Sequence, residues 1–250
     1  MKTYRAELHV HTVLSPCAQV EMIPPLIVST ALKHDINLIA ITDHNATANI
    51  GAVQRAAKGT GLIVLPGMEL QTREEVHVLC LFDTLEQAKK LQKVVNQALP
   101  QIKNRPDFFG EQFVVDKTGR FIRSEPQLLS TSVNLSLRQA WEIVSSLGGL
   151  FIPAHVNRKM FGLIQVLGLI PTEFPIEALE ISRHISPAEA IKVFPQIEGY
   201  PLIQNGDVHG LDEFIGTTEF HIEVPTIAEL KQAIHGQNGR FMKLITLKQS

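Results

Sequence analysis

Cysteine is scarce in this sequence, and long apolar runs are missing. The 250 residues include only two cysteines, Cys17 and Cys80, too few for the disulfide framework of a small secreted protein. No apolar stretch approaches the length of about 18 residues that a membrane-spanning helix needs, and the N-terminus lacks the pattern of a signal peptide. The sequence therefore predicts a cytoplasmic protein with no membrane partner, and it leaves the oligomeric state open.

Runs of like charge are also absent. Lysine and arginine number 23 against 25 aspartates and glutamates, which gives a formal net charge of −2. No like-charged run exceeds Lys89-Lys90 or Glu74-Glu75, so the sequence predicts no extended basic surface for long nucleic acid. A compact enzyme that acts on short oligonucleotides stays open, because bound metal ions would supply positive charge.

Short apolar segments alternate with segments of helical periodicity along most of the chain. The predicted strands are residues 5–11, 37–42, 62–65, 75–82, 150–153, 176–181, 202–204 and 218–222. The predicted helices are residues 24–34, 46–59, 85–103, 137–147, 187–194 and 227–235. The alternation predicts an α/β fold of parallel βαβ units, and the number of strands favours a closed barrel that occupies residues 1–250 as a single domain.

Several predicted helices carry start signals. Pro24 and Pro25 lie in a first helical turn, and Ser136 is a candidate N-cap before Leu137. Ser186 precedes Pro187 in the same kind of arrangement. These signals fix where three of the helices begin.

The segment 104–135 interrupts the alternation. It contains Phe108-Phe109, a turn at 116–119 and then serine, threonine and asparagine. We interpret it as an insertion between the fourth and fifth strands that forms a small helical or hairpin cap. Long insertions in barrels often cover the active site, and packing on the outside of the barrel is the alternative.

Histidine, with ten residues, is the residue type whose placement carries chemical information. In His9-Val10-His11 the two imidazoles project from the same face of a predicted strand, which makes a natural chelate for a divalent ion. Other acidic and imidazole groups fall at the mouths or on the inner faces of predicted strands. They are Asp43, His44, Glu69, His77, His155, Asp207 and His209.

Taken singly these residues are weak signals, since a histidine in an apolar strand, such as His77, is more often an ordinary core residue. Taken together they would be costly to bury without a compensating partner, and divalent metal ions supply one. The sequence therefore predicts a metal cluster. The remaining histidines lie in helical or late segments, where we assign them no function: His34, His184, His221 and His235.

In this order, the motifs resemble those of the polymerase-and-histidinol-phosphatase (PHP) superfamily. The matching motifs are His9-Val10-His11, Thr42-Asp43-His44, Pro66-Gly67-Met68-Glu69, His77, Pro153-Ala154-His155 and Gly206-Asp207-Val208-His209. Ser15-Pro16-Cys17-Ala18 resembles a branch described as predicted metal-dependent phosphoesterases. The resemblance covers residues 7 to about 216 and implies a distorted (β/α)7 barrel with two or three metals at the C-terminal ends of the strands.

The resemblance also implies how the ligands are shared among three ions. The first ion would be bound by His9, His11, Glu69 and Asp207. The second ion would share Glu69 and be bound also by His77 and His155. The third would be bound by His44 and His209.

Three further residues near these ligands follow from the resemblance. Cys17 lies in the loop from which relatives supply a histidine or aspartate to the third ion, and its thiolate would suit zinc or iron. The alternative is that Cys17 is an ordinary loop residue. Glu7 and Asp43 would orient neighbouring ligands rather than bind metal. Imidazole and carboxylate ligands are compatible with zinc, manganese and iron, so the metal stays open.

Adjacent divalent ions lower the pKa of a bound water and neutralise charge on phosphoryl oxygens. A metal-activated hydroxide then needs no nucleophilic side chain, and the sequence has no Ser-His-Asp signature and no P-loop. Arg158, Lys159 and Arg183 follow predicted strands and are candidates to bind the substrate phosphate. The predicted function is hydrolysis of a small phosphorylated metabolite or nucleotide by a phosphatase or phosphodiesterase.

Alternative functions stay open at this point. The same resemblance includes histidinol-phosphate phosphatases and polymerase-linked exonucleases, the latter disfavoured because no polymerase accompanies these 250 residues. Metal hydrolases of the amidohydrolase type also begin with His-x-His, but they tend to use a strand lysine that this sequence lacks. A metal-binding module without turnover would be expected to have lost ligands, and here only the Cys17 loop departs from the pattern.

Overall fold

The computed structural model of the chain describes residues 1–245, so the last residues of the predicted domain lie outside it. The strands are β1 (Lys2–Val10), β2 (Leu38–Ile41), β3 (Ile63–Gln71), β4 (His77–Leu81), β5 (Phe113–Val115), β6 (Phe121–Ser124), β7 (Leu150–Pro153), β8 (Leu179–Ile181), β9 (Leu202–Gln204), β10 (Thr218–Ile222) and β11 (Phe241–Leu244). The helices are α1 (Pro24–Lys33), α2 (Ile50–Ala57), α3 (Leu85–Ala98), α4 (Pro106–Phe109), α5 (Leu137–Ser146), α6 (Leu163–Leu167), α7 (Pro187–Val193) and α8 (Ile227–Ile234). The fold is α/β, as predicted.

Seven strands form one sheet in the order β11-β10-β1-β2-β3-β4-β7, and β8 pairs with β9. The β1–β2, β2–β3 and β8–β9 pairs are parallel, as the βαβ pattern predicts. The prediction of parallel strands is wrong for β10, which runs antiparallel to β1, and for β4, which runs antiparallel to both β3 and β7. For β4 the physical reason is the connection: only residues 72–76 join β3 to β4, and a parallel pairing needs a crossover of a dozen or more residues.

Backbone hydrogen bonds join the β8–β9 pair to this sheet. The Val156 N–H donates to the Glu180 carbonyl oxygen over 2.8 Å. On the other side, Val208 exchanges backbone hydrogen bonds of 2.9 Å with His9 and His11. The sheet therefore curves, and the carboxyl ends of β1 and β2 meet the loops that follow β7 and β9.

Strand β2 is buried on both faces, as strands in the middle of an α/β sheet usually are. Leu38 and Ala40 belong to one buried hydrophobic cluster, while Ile39 and Ile41 belong to the other. None of the helices within the part of the chain that the structure describes is long and apolar enough to cross a membrane.

The predicted helix starts at Pro24, Ser136 and Ser186 are confirmed. Ser136 and Ser186 each form a capping box, in which the serine side chain accepts from the backbone N–H three residues later. Helix α1 begins at Pro24. Helix α3 ends at Ala98 rather than at the predicted residue 103, because Pro100 disfavours helical geometry at the residue before it.

Residues 104–135 contain α4 and the β5–β6 hairpin, between β4 and β7. The hairpin packs on the loop that follows β1, where the Phe113 N–H donates to the Val13 carbonyl oxygen over 2.9 Å. Gly110, at φ +100°, lies so close to Pro16 that an added Cβ would be 2.1 Å from its carbonyl oxygen. A larger residue at position 110 would push the hairpin away from the Cys17 loop.

Candidate metal centre

The strands and loops that meet at one side of the sheet bring the predicted ligands together. Seven of these side chains are buried: His9, His11, His44, Glu69, His77, His155 and Asp207. An eighth, His209, keeps 22% of its side chain exposed. His44, His155 and Asp207 follow the ends of β2, β7 and β9, as predicted, whereas Glu69 lies within β3, which extends beyond the predicted strand.

Glu69 is the centre of this cluster. Five histidine ring nitrogens lie within 3.3 Å of its two carboxylate oxygens. They belong to His9, His11, His44, His77 and His155. Burial by itself would raise the pKa of Glu69, but the charges of His77, His9 and His44 hold that pKa well below its usual range. Glu69 is therefore an anion at neutral pH.

Three overlapping groups of side chains have ligand atoms within 4.8 Å of one another. The first group is His9, His11, Glu69 and Asp207. The second group is His44, Glu69 and His77, and the third is His11, His44 and His209. Glu69 is shared by the first two groups.

These groups match the predicted ligand sets in part. The first group has the same members as the set predicted for the first ion. The second group contains His44 instead of the predicted ligand His155. His155 is nevertheless close, because its Nε2 lies 3.2 Å from Glu69 Oε1. The third adds His11 to the predicted pair. Metal binding by each residue stays a prediction.

The unpaired polar atoms of the described residues are concentrated in the same cluster. Eight buried side-chain nitrogens and oxygens of residues 1–245 lack a hydrogen-bond partner, and seven of them are here. These seven are His9 Nε2, His11 Nε2, His44 Nδ1, Glu69 Oε2, His77 Nε2, His155 Nδ1 and Asp207 Oδ1. An unpaired buried polar atom costs about 1–3 kcal/mol. Imidazole nitrogens and carboxylate oxygens are the donors that borderline divalent ions bind, so this set fits metal ions.

Ser15, which lies in the Ser15-Pro16-Cys17-Ala18 motif but had no role predicted for it, orients His11. Its Oγ lies 2.8 Å from His11 Nδ1 and donates to Asp43 Oδ1 over 2.8 Å. It also accepts from the backbone N–H of His44 over 3.1 Å. Because the serine proton goes to Asp43, Ser15 accepts from Nδ1 of His11, which leaves Nε2 to face the cluster. Asp43 thus reaches the imidazole only through Ser15.

Glu7 acts on the loop that carries Asp207. Its carboxylate accepts from the backbone N–H groups of Gly206, Ile215 and Gly216 over 2.7–3.0 Å. Burial outweighs these hydrogen bonds and raises the pKa of Glu7 to about 7. The contacts place Glu7 behind the cluster, where it fixes the backbone beside a candidate ligand.

Strained backbone conformations occur at several residues around the cluster. Positive φ angles occur at Asn45 (49°), His155 (30°), Phe161 (61°) and Asp207 (51°). Such angles are disfavoured for side chains with a Cβ and recur at functional sites. Phe161, another residue that the motifs did not reveal, stacks on His77 at a centroid distance of 4.4 Å and accepts from its backbone N–H.

Cys17 lies beside the third group. The residue is exposed and belongs to none of the three groups, although His209 and His44 lie close enough to act on its thiol. Partial burial by itself would raise the pKa of the Cys17 thiol, but the two histidines lower that pKa to about 5. A thiolate is the form that binds metal, so the chemistry of Cys17 suits its predicted role, and metal binding by Cys17 stays a prediction.

The three predicted phosphate-binding cations have different surroundings. Arg158 lies at the cluster, with a guanidinium nitrogen 2.6 Å from Asp207 Oδ2. Arg183 donates to the Gly206 carbonyl oxygen and to Glu213, each over 2.7 Å, so it supports the loop after β9. Lys159 is exposed. Contact of any of the three with substrate stays a prediction.

Glu180, on β8, is a buried carboxylate that the sequence reasoning missed. Both of its oxygens lie near His9 Nδ1, at 3.1 and 3.2 Å. The available signal was an acidic residue inside the apolar run Ala178-Leu179-Glu180-Ile181. The four histidines to which no function was assigned lie outside the three groups: His34, His184, His221 and His235.

Comparison with known proteins gives a family and a fold. The PHP domain profile matches residues 7–146. Protein YqxK of Bacillus subtilis (strain 168), itself uncharacterized, is 24% identical over an alignment of 273 positions that covers 96% of this chain and 64% of YqxK. The chain thus spans less than two thirds of that relative.

Solved structures with the same fold include two of endonuclease Q. The lesion-specific endonuclease Q of Pyrococcus furiosus has a TM-score of 0.74 and 21% sequence identity to this chain. A complex of endonuclease Q with a 27-mer duplex that contains an abasic lesion has a TM-score of 0.75 and 19% sequence identity. Each alignment covers 96% of this chain and 58% of the other. A protein of Bifidobacterium adolescentis, provisionally named a metal-dependent phosphoesterase, has a TM-score of 0.55 at 18% identity, with coverages of 82% and 87%.

Proposed function

Because this chain belongs to the PHP domain family, we propose that it is a metal-dependent phosphoesterase that hydrolyses a small phosphorylated metabolite or a nucleotide. The observation that carries the proposal is the set of seven unpaired, buried ligand atoms around Glu69. Their chemistry suits two or three divalent ions, with zinc, manganese and iron as candidates. The relatives named for phosphate-ester chemistry support the choice of substrate bond.

In this proposal, different residues of the cluster bind the metal ions, position the ligands and bind the substrate phosphate. Histidines and the shared carboxylate Glu69 would hold the ions, and Ser15 and Glu7 keep ligands or their loops in place. When bound, the ions would stabilise negative charge on the phosphoryl oxygens and lower the pKa of a bound water. Arg158, beside Asp207, would bind a non-bridging phosphate oxygen once the metals compete for that carboxylate.

A second candidate is cleavage of nucleic acid. Endonuclease Q shares the fold over 96% of this chain, and one of its structures holds a 27-mer duplex with an abasic lesion at the active site. That likeness weighs against the expectation that long nucleic acid is excluded as a substrate. The chain spans 58% of endonuclease Q, so this activity of the longer protein is only a proposal for the present chain.

We also propose that the described elements form one distorted (β/α)7 barrel domain. Strands β1, β2, β3, β4, β7, β8 and β9 would be its staves. The backbone bonds from Val156 to Glu180 and from Val208 to His9 support closure. Residues 104–135 would be an insertion that packs on the Cys17 loop and partly covers the site.

A substrate panel tests the proposed function. Purified protein, its metals quantified by mass spectrometry, would be offered phosphomonoesters that include histidinol phosphate, nucleotides, short single strands, a duplex with an abasic site, and amide substrates. We expect metal-dependent turnover of a phosphate ester that Asp207→Asn abolishes. Hydrolysis of amide substrates alone would favour a metal hydrolase of the amidohydrolase type. Bound metal with no turnover of any substrate would favour a non-catalytic module and contradict the proposal.

Replacement of Cys17 tests the third metal position. We expect Cys17→Ser to lose metal at that position while Cys17→His or Cys17→Asp keeps it, because the serine hydroxyl is a poor ligand and the other two side chains are good ones. Metal-to-protein stoichiometry is the measurement, and Cys80→Ser, which changes a buried cysteine, is the matched control. Equal stoichiometry in all three Cys17 variants and the wild type would exclude Cys17 as a ligand.

A further inference from the structure

Glu180 lies directly behind the candidate metal ligands, although no motif identified it. Its side chain is buried, and its carboxylate accepts hydrogen bonds from two donors and contacts one imidazole. Asn205 Nδ2 donates to Oε1 over 2.7 Å, and the backbone N–H of His155 donates to Oε2 over 2.9 Å. His9 Nδ1 lies 3.1–3.2 Å from both oxygens.

These contacts fix the orientation of His9. With Nδ1 on the Glu180 carboxylate, the opposite ring nitrogen, Nε2, points to Asp207 Oδ1 at 3.0 Å and to Glu69 Oε1 at 3.2 Å. Nε2 is one of the unpaired buried atoms of the cluster. The imidazole therefore connects Glu180 on one side with the candidate ion site on the other.

The two histidines of the His9-Val10-His11 pair differ in the group that contacts Nδ1 of the imidazole ring. His11 contacts a neutral hydroxyl, that of Ser15, and only through it a carboxylate. His9 contacts a carboxylate directly. An anionic partner on the far nitrogen fixes the ring and makes it a stronger ligand, so the two imidazoles should not bind metal equally well.

Glu180 also supports His155 through its backbone. The N–H that donates to Glu180 belongs to a residue with the disfavoured φ of 30°. The Asn205 side chain that donates to Glu180 in turn accepts from the backbone N–H of Leu8, next to His9. Glu180 thus connects strand β1 with the loops after β7 and β9.

From this geometry we infer that Glu180 is a positioning residue for the candidate metal centre: it orients His9 and strengthens it as a ligand of the ion held by His9, His11, Glu69 and Asp207. The inference rests on the proposed function only in taking the cluster as a metal centre. It does not depend on the substrate.

Replacement of Glu180 by glutamine tests the inference. Glutamine keeps the size but turns one acceptor oxygen into an NH₂ group that must face one of the three donors. We expect Glu180→Gln to weaken Zn²⁺ binding by about 10–100-fold, measured by calorimetric titration of metal-depleted protein. The matched control is Glu177→Gln, which removes a carboxylate from His235 on the surface and should bind Zn²⁺ like the wild type.

A spectroscopic readout separates ligand positioning from a purely structural role. In Co²⁺-loaded protein we expect the visible absorption bands of Glu180→Gln to shift, because the ligand field changes when His9 turns, while Glu177→Gln keeps the wild-type spectrum. If the glutamine variant does not fold, Glu180→Asp keeps the charge but withdraws it from His9, and an intermediate loss of Zn²⁺ affinity is expected. Wild-type affinity in the variant that folds overturns the inference.

The outcomes for Glu180 and for the proposed function are distinguishable. Wild-type Zn²⁺ affinity and Co²⁺ spectrum in Glu180→Gln would refute the positioning role while phosphoester turnover by the wild type still stood. Weaker Zn²⁺ binding in Glu180→Gln, with no phosphoester turnover by the wild type, would support the positioning role and refute the proposed function. A wild-type protein that binds none of Zn²⁺, Mn²⁺ and Fe²⁺ would refute both.

Discussion

Glu69→Gln is expected to lower kcat/KM for the phosphoester substrate at least about 10³-fold, equivalent to about 4 kcal/mol of transition-state stabilisation. Glutamine has nearly the size of glutamate but no charge, and Glu69 is the carboxylate that the first two ligand groups share. Its loss therefore affects two candidate ion positions at once. Steady-state kinetics together with metal content of the purified variant is the measurement.

The control for this variant is Glu86→Gln, at a glutamate whose side chain is 78% exposed on α3. It should keep wild-type kinetics and metal content. Circular dichroism checks that Glu69→Gln is folded, since removing one partner from a buried ion pair costs about 3–5 kcal/mol of stability. A folded Glu69→Gln protein with full metal content and full activity would contradict the assignment of Glu69 as a ligand shared by two candidate ion positions.

Metal addition is expected to raise the melting temperature of metal-depleted protein by about 8–16 °C. A ligand at a thousand times its Kd stabilises the native state by about 4 kcal/mol, and each kcal/mol shifts the Tm of a chain of this size by about 2–4 °C. The stabilisation arises because the seven unpaired atoms of the cluster gain a partner. Scanning calorimetry with and without Zn²⁺ or Mn²⁺ measures it.

This stabilisation should grow as the pH rises from 6 to 8. Without metal, burial lowers the pKa values of His9 and His44, but Asp207 near His9 and Glu69 near His44 raise both well above 6.5. Protonated His9 and His44 stabilise the metal-free folded state fully at pH values below the pKa of histidine in the unfolded chain. This stabilisation is lost as the pH rises through the higher pKa values of the two residues in the folded protein. Metal ions compete with these protons and bind better as the pH rises.

The two carboxylates of the cluster, Glu69 and Asp207, do not reverse this trend in the same pH range. Although burial by itself would raise the pKa values of Glu69 and Asp207, neighbouring histidines hold both well below their usual range. The ionised carboxylates of Glu69 and Asp207 stabilise the folded state fully at pH values above the carboxyl pKa of the unfolded chain. This stabilisation is lost only as the pH falls through the lower pKa values of the two residues in the folded protein. A Tm increase on metal addition that is equal at pH 6 and pH 8, or larger at pH 6, would count against proton competition at the cluster.

Much of the fold could be predicted because its signals are local. Apolar periodicity and N-cap residues lie within a few positions of the elements that they specify. Strand β2 and helix α5, which follows the N-cap Ser136, were predicted close to their observed bounds. The direction of β4 could not be predicted from its own residues. It depends on the turn at 72–76 and on which strands β4 pairs with.

The sequence by itself determined most of the residues of the candidate site and, for His44, His155 and Asp207, the strand ends at which they lie. That was feasible because His9-Val10-His11 and Asp207-Val208-His209 are short motifs with a fixed side-chain period. Only the tertiary structure decided how these residues are grouped: it set His44 beside Glu69 and His77, and it brought Glu180 to His9 across 171 positions of the chain. A contact between such distant residues depends on the curvature of the whole sheet, which no local pattern encodes.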